Sequence, residues 1–400
     1  MKRKITSPNI VRVIIICMLH ITLILKAQET TKAESAVSAQ FFEVNKEKMF
    51  NPVVALESWV TYSMGEVKNS SEYANRTDVS FRRFRFGASG TPYSWLKYNF
   101  QLYLDRLGED AFASTKGSYG NIGIWNANIT AKLIKESELL NIETGYFWAA
   151  ISREYNTSPW AVGAFDKTRA CWYMRNFITG TGNGIVSGIA LGGLKYFNKF
   201  GISYRIGTYE PDLYQSKEFA SRLYTGRIMF SFGDPEETVY KYMLSGNQWG
   251  KRKGITIGIG ASTQSDGKLS DTTFFDMSNA YGADILINYE GLHIDGEYFM
   301  FDRKAIGTEN FNGIEYHIRA GYSLVVAGKY IEPVITYEKY KGEGAKSLYK
   351  YIGDDYTYDL GINWYMNKDK LKLALHYVIQ SGSTSPNTGD YIGLACQIRL

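Results

Sequence analysis

Proline is scarce in this 400-residue chain, with 8 residues against 31 tyrosines and 39 glycines. A proline-rich linker or recognition arm is therefore excluded. Cysteine is scarcer. Cys17 lies in the N-terminal apolar run, which leaves Cys171 and Cys396, far apart in sequence. Two such residues supply neither a disulfide framework nor a zinc pattern, and spacing does not say whether they pair. After the N-terminus no stretch of 18 or more apolar residues occurs, so helical membrane spans are excluded. No Gly-x-Ser-x-Gly elbow is present, and the glycine-dense Gly180–Gly184 lacks the Lys-Ser/Thr of a phosphate loop.

An excess of charge is also missing, although the formal net charge is +5. Lys2, Arg3, Lys4, Arg12 and Lys26 all fall within residues 1–27, which hold no acidic residue. Removing those five from the 45 basic residues leaves 40 against 40 acidic ones. A global basic field for nucleic acid is absent from the remainder. The N-terminal segment itself has a positive start, an apolar run from Val13 to Leu25 and a small residue at Ala27. A run of that length is too short to span a membrane, for which about 20 residues are needed. The pattern predicts a signal peptide over residues 1–27, cleaved after Ala27.

What is present is alternation. Residues 28–50 are a polar leader without a clear period, but from Pro52 onward runs of about ten residues alternate in polarity between turn residues. In Lys370–Gln380 Leu371, Leu373, Leu375, Tyr377 and Ile379 share one face, opposed by Lys372 and His376. Over Tyr356–Met366 an apolar face of Tyr356, Tyr358, Leu360, Ile362, Trp364 and Met366 opposes Asp359 and Asn363. Over Ser94–Asp105 Leu96, Tyr98, Phe100 and Leu102 oppose Lys97, Asn99 and Gln101. Aromatics recur near the ends of such faces, as in interfacial belts. Runs start near Val53, Asp78, Ser94, Asn121, Leu139, Ile185, Gly201, Arg222, Gly254, Tyr281, Leu292, Gly313, Tyr330, Tyr356, Lys370 and Tyr391. The count predicts an all-β, transmembrane antiparallel barrel of about 16 strands over residues 51–400. Long connections are expected at Ser63–Thr77, Pro211–Ser221, Asp234–Lys253, Thr263–Asn279 and Tyr340–Asp355. A soluble, secreted all-β protein is the competing reading, with shorter strands of about 5–6 residues.

The segment Phe81-Arg82-Arg83-Phe84-Arg85-Phe86-Gly87-Ala88-Ser89-Gly90 resembles the arginine-rich second strand of the phosphate-selective porin family, the O and P type. Glu143–Gly193 is similar to that family's central region, with Gly145-Tyr146-Phe147 before Ile151-Ser152-Arg153-Glu154 and Arg175-Asn176-Phe177 before a glycine-rich run. Gly361-Ile362-Asn363-Trp364-Tyr365 with Asn367 resembles its penultimate hairpin. The resemblance is spread over most of Val53–Leu400. It implies a sixteen-stranded, usually homotrimeric channel in the outer membrane of a Gram-negative bacterium, passing phosphate or other anions, with one loop folded into the lumen. The candidate for that loop is 149–184, which carries Arg153, Lys167, Arg169 and Arg175.

Arg83 and Arg85 share a strand face, and lipid exposure near the midplane would cost roughly 2–4 kcal/mol each. They are expected to face the lumen, with Phe84 and Phe86 outward and a bulge between Phe81 and Phe84. Arg205, Arg227 and Arg319 also occupy polar faces. Two readings stay open for these five: a stepwise anion pathway, or pairing with carboxylates that braces the wall. His293, Asp295 and Glu297, like Glu315, His317 and Arg319, share faces that could hold a cation. A solvated, salt-bridged wall is the preferred reading of both, with no metal. The expected function is thus a porin, a passive channel for small solutes, without enzyme activity or cofactor. The alternatives are a non-conducting barrel that binds a ligand or partner through long loops, and a barrel hydrolase.

Overall fold

A computed structural model describes residues 45–64, 75–107, 122–213, 221–246, 249–384 and 389–400. The expected signal peptide 1–27 and most of the leader 28–50 lie outside the described residues. The strands are β1 Asn51–Met64, β2 Arg76–Tyr93, β3 Leu96–Tyr103, β4 Gly123–Lys132, β5 Asn141–Trp148, β6 Ile185–Phe197, β7 Phe200–Glu210 and β8 Leu223–Gly233. They continue with β9 Gly254–Lys268, β10 Phe274–Tyr289, β11 Leu292–Lys304, β12 Phe311–Tyr322, β13 Lys329–Gly344, β14 Gly353–Asn367, β15 Leu371–Gly382 and β16 Asp390–Arg399. A short segment, Leu324–Val326, continues β12 past Ser323 and pairs with the same neighbour. Each strand pairs antiparallel with the next, and β1 also pairs with β16, from Ala55 opposite Arg399 to Met64 opposite Asp390. The sheet is therefore a closed barrel of sixteen strands. Closure leaves no unpaired edge, the condition a strand protein must meet in lipid.

The faces are inverted relative to a water-soluble protein. On β9 Ile255, Ile257 and Ile259 point outward and are exposed, whereas Thr256, Ser262 and Gln264 are buried inside. On β14 Tyr358, Leu360, Ile362 and Trp364 are exposed and Asp355, Asp359 and Asn363 buried. Hydrocarbon outside makes this arrangement favourable, since the apolar band meets lipid tails and the polar positions meet one another. Tyr298, Tyr316, Tyr337 and Tyr358 form an outward ladder across β11 to β14, with ring centroids 5.9, 6.0 and 4.8 Å apart. Their amphipathic rings suit a membrane interface. Among the described residues no helix is long and apolar enough to cross a membrane.

Where the sequence places a bulge, the register shifts: Glu57 faces Arg83 and Ser58 faces Phe81, leaving Arg82 as the extra residue. That insertion keeps Arg83 and Arg85 inward. Three connections differ from expectation. Thr263–Asn279 is mostly strand, because β9 runs to Lys268 and β10 starts at Phe274. Tyr340–Asp355 likewise contains strand to Gly344 and from Gly353. Polar composition concealed this pairing, since a strand extending beyond the lipid loses its apolar face while keeping its ladder. Asp234–Lys253 follows an even-numbered strand, so it lies at the barrel end that holds both the start of β1 and the chain terminus, among turns such as Asn198-Lys199. Its residues 236–244 do not project outward but pack inside the barrel.

Candidate functional site in the lumen

Two segments enter the barrel from opposite ends and meet inside it. The first joins β5 to β6 and spans 149–184. It holds α1, Arg153–Asn156, and α2, Arg169–Thr179. Ser152 caps α1 by accepting from the Tyr155 N–H, and Thr168 caps α2 by accepting from the Cys171 N–H. Gly180 ends α2 at φ 81°, a left-handed position that glycine adopts without a Cβ penalty. Most of the segment is buried. Its backbone is tied to strands around the wall. Phe165 N–H donates to Asp359 on β14 at 2.7 Å, and Ala170 N–H to Glu338 on β13 at 3.2 Å. Gly163 C=O accepts from Asn363 on β14 at 2.6 Å, and Trp160 C=O from Gln397 on β16 at 3.2 Å.

The second segment is 234–246, the described first part of the connection that ends at Lys253. Arg153 of α1 makes a two-pronged pair with Glu236, at 2.7 and 2.9 Å. Leu244 N–H donates to Asn156 C=O at 2.9 Å, and Ser158 N–H donates to Leu244 C=O at 3.1 Å. Tyr242 accepts from Asn99 at 3.2 Å and from Asn126 at 2.6 Å. This inward fold leaves little trace in the sequence. The available hint was a charged, aromatic string, Glu236-Glu237-Thr238-Val239-Tyr240-Lys241-Tyr242, where a short turn is usual.

All five wall arginines face inward, and all five are paired. Arg83 holds Glu57 and Asp166; Arg85 holds Asp105 at 2.6 Å. Arg205 meets Glu143 at 2.7 Å, and Arg227 meets Asp284. Arg319 lies 3.1 Å from Asp295 and 3.4 Å from Glu154. Arg85 also stacks on Trp125, its guanidinium carbon 3.2 Å from the ring centroid. Of the four loop cations, Arg153 pairs with Glu236, and Lys167 donates to Thr157 C=O at 2.7 Å and Tyr155 C=O at 3.3 Å. Arg169 donates to Gln380, and Arg175 to Tyr155 C=O. The cations are legible in the sequence and their partners are not, because a carboxylate's cross-strand register is not visible in a single chain.

Burial sets the electrostatics of the inner segments. At Lys167 desolvation, aided by the nearby Arg175 charge, brings the ammonium down to about 7. Burial alone would raise Glu154, but Arg319, His317 and Lys167 outweigh it and hold the carboxyl at about 2. At Glu236 burial is again outweighed, here by Arg153, so its carboxyl titrates below the usual range. Burial pushes the Cys171 thiol well up. Cys171 and Cys396 are both free; the first is in the lumen on α2, the second is on β16 among outward-facing Leu394 and Ile398.

Between α2 and the β2 wall a cavity of about 100 Å³ remains. Arg82, Arg83, Arg85, Lys167 and Arg175 line it against two carboxylates, Asp105 and Asp166. Arg85 Nη1 and Arg175 Nε are buried there without a hydrogen-bond partner. The arrangement can accept an anion, supplying donors that would otherwise stay unsatisfied.

A family model described as phosphate-selective porin O and P matches residues 54–400. No curated protein matches the chain in sequence. Among solved structures it is similar to Pseudomonas putida OprB at high pH, with TM-score 0.56, 10% identity and coverage of 88% of this chain and 95% of that one. It is similar to the outer-membrane channel DcaP of Acinetobacter baumannii, with TM-score 0.52, 11% identity and coverage of 88% and 97%. A third is the trimer form of in-vitro folded OmpT, an outer-membrane protein of Vibrio cholerae, with TM-score 0.51, 9% identity and coverage of 88% and 99%. At these identities the likeness is one of fold.

Proposed function

Because this chain belongs to the phosphate-selective porin O and P family, we propose that it is a passive outer-membrane channel that favours small anions such as phosphate. The carrying observation is the cavity beside α2, where five cationic side chains face two carboxylates. An anion there replaces part of its hydration with guanidinium and ammonium donors. The five wall arginines act mainly as braces in this reading. Their charges are already matched by Glu57, Asp105, Glu143, Asp284 and Asp295, so selectivity rests on the inner-segment charges that Lys167 and Arg175 bring to the cavity rather than on an arginine ladder along the wall. Segment 149–184 is the constriction. Residues 1–27 are a signal peptide removed before assembly, residues 28–50 a leader to the barrel 51–400, and the assembly is a homotrimer. The trimer form of the Vibrio cholerae OmpT neighbour supports that last point.

Single-channel current from the refolded mature protein in a planar bilayer under a KCl gradient tests the proposal. Stepwise conductance with an anion-favouring reversal potential is expected. Cation preference would keep the channel and remove phosphate from it. The docking of 234–246 against 149–184 favours a second reading, a barrel closed at rest that binds ligands by its outer loops. Absence of conductance from a correctly folded barrel would select it.

A further inference from the structure

Beneath α1 the wall carries a group of side chains that lies outside the cavity beside α2. Glu297 on β11 lies opposite His317 on β12, and Glu315 follows two residues earlier on the same inward face. One donor atom from each of the three lies within 4.8 Å of the others. All three are buried, Glu315 completely. Both Glu315 carboxylate oxygens and His317 Nδ1 have no hydrogen-bond partner. A buried carboxylate without a donor is costly, and one beside a second carboxylate is more so. We propose that Glu297, Glu315 and His317 form a binding site for a divalent first-row transition ion such as Zn²⁺.

The imidazole is already oriented for this role. His317 Nε2 is 3.1 Å from Asp295 Oδ1, which fixes the ring and leaves Nδ1 for the ion. Asp295 is itself held by His293 at 2.7 Å and by Arg319 at 3.1 Å. A carboxylate behind a ligating histidine is the usual supporting partner of a metal site. The neighbouring group of Glu154, Asp295 and His317 is a poorer candidate, because Arg319 already pairs with both of its carboxylates. Two carboxylates and one imidazole suit Zn²⁺, whose ligand distances are about 2.0–2.2 Å, so the donors close in by rotamer adjustment of about 1 Å. Water completes the coordination. Glu297 also accepts from Ser152 Oγ at 2.9 Å and from the Glu154 N–H at 2.8 Å. An ion held there would anchor α1, and with it the inner segment, to the β11–β12 wall.

The test uses the full mature barrel, stripped with a chelator and titrated with Zn²⁺ against a chromophoric competitor. One ion per chain is expected, with a rise in the unfolding temperature on binding. Glu315→Gln should weaken Zn²⁺ at least tenfold while retaining the heat-modifiable gel shift of a folded barrel. His376→Ala, on β15 and outside this cluster, leaves all three ligands and their supporting carboxylate in place and should bind one ion per chain. Lack of stoichiometric Zn²⁺ in the wild-type barrel would overturn the site. So would a Glu315→Gln barrel that binds as tightly as wild type. If Glu315→Gln fails to fold, the wild-type stoichiometry and thermal shift still decide. Neither readout depends on whether the barrel conducts.

Discussion

The contact most exposed to experiment is the one between the two inner segments. Glu236→Gln keeps the side-chain volume and removes one charge from the Arg153–Glu236 pair, whose side chains are each 3% exposed. Breaking a buried pair from one side costs about 3–5 kcal/mol, because it strands the other charge. Here Arg153 Nε keeps Asp284 at 3.4 Å, a carboxylate already engaged by Arg227, so the lower end applies. About 3 kcal/mol is roughly a hundredfold in the balance between docked and released 234–246. Single-channel recording should then show a larger conductance level, rare in the wild type, occupied for much of the time. The Arg153→Gln/Glu236→Gln double variant leaves no lone buried charge and should return toward wild-type gating, a coupling readable as a double-mutant cycle. Wild-type conductance and gating in a folded Glu236→Gln barrel would refute the idea that this pair keeps the second inner segment docked in the lumen. Acid alone is a weaker lever. Glu236 titrates below its ordinary 4.5, so its contribution is complete above that value and is lost only as pH falls through the lower folded one.

Further outcomes are expected. Raising the pH through about 7 should reduce anion preference as Lys167 loses its proton. Its charge is set against Arg175 on α2, the carboxylates of Glu154 on α1 and Glu297 on β11, and the Cys171 thiol, and Lys167→Gln should make reversal potential flat across that range. Replacing Arg83 and Arg85 by glutamine should destabilise the folded barrel, because Glu57, Asp105 and Asp166 lose partners. A large drop in anion preference without loss of stability would instead make them the anion pathway. Deleting the central part of 149–184 should raise conductance in planar bilayers, and an unchanged value would remove the segment from the constriction. A membrane-permeant maleimide should label Cys396 in the folded barrel and spare Cys171, with equal labelling of both after unfolding, as read by mass spectrometry.

The physical origin of each signal decides what a single sequence carries. Lipid outside and polar contents inside impose a period of two on every strand. That is why starts expected at Ile185, Gly254 and Leu292 coincide with the first residues of β6, β9 and β11. The cost of exposing Arg83 to hydrocarbon is local, so its inward direction and the bulge at Arg82 can be argued from neighbouring letters. Beyond the lipid the constraint relaxes, and the outer halves of β9 and β10 look like loop although their ladder continues out to the pair Lys268 and Phe274. Partnering inside the lumen is less legible still. Arg153 and Glu236 are 83 positions apart, Gly163 and Asn363 are 200 apart, and no periodicity links them. Their meeting follows from barrel closure, which gives every inward side chain the same small volume and forces charges of opposite sign together. An arginine-rich strand in such a barrel therefore specifies where cations lie, whereas the carboxylates that arrive through closure determine which of those cations a solute can use.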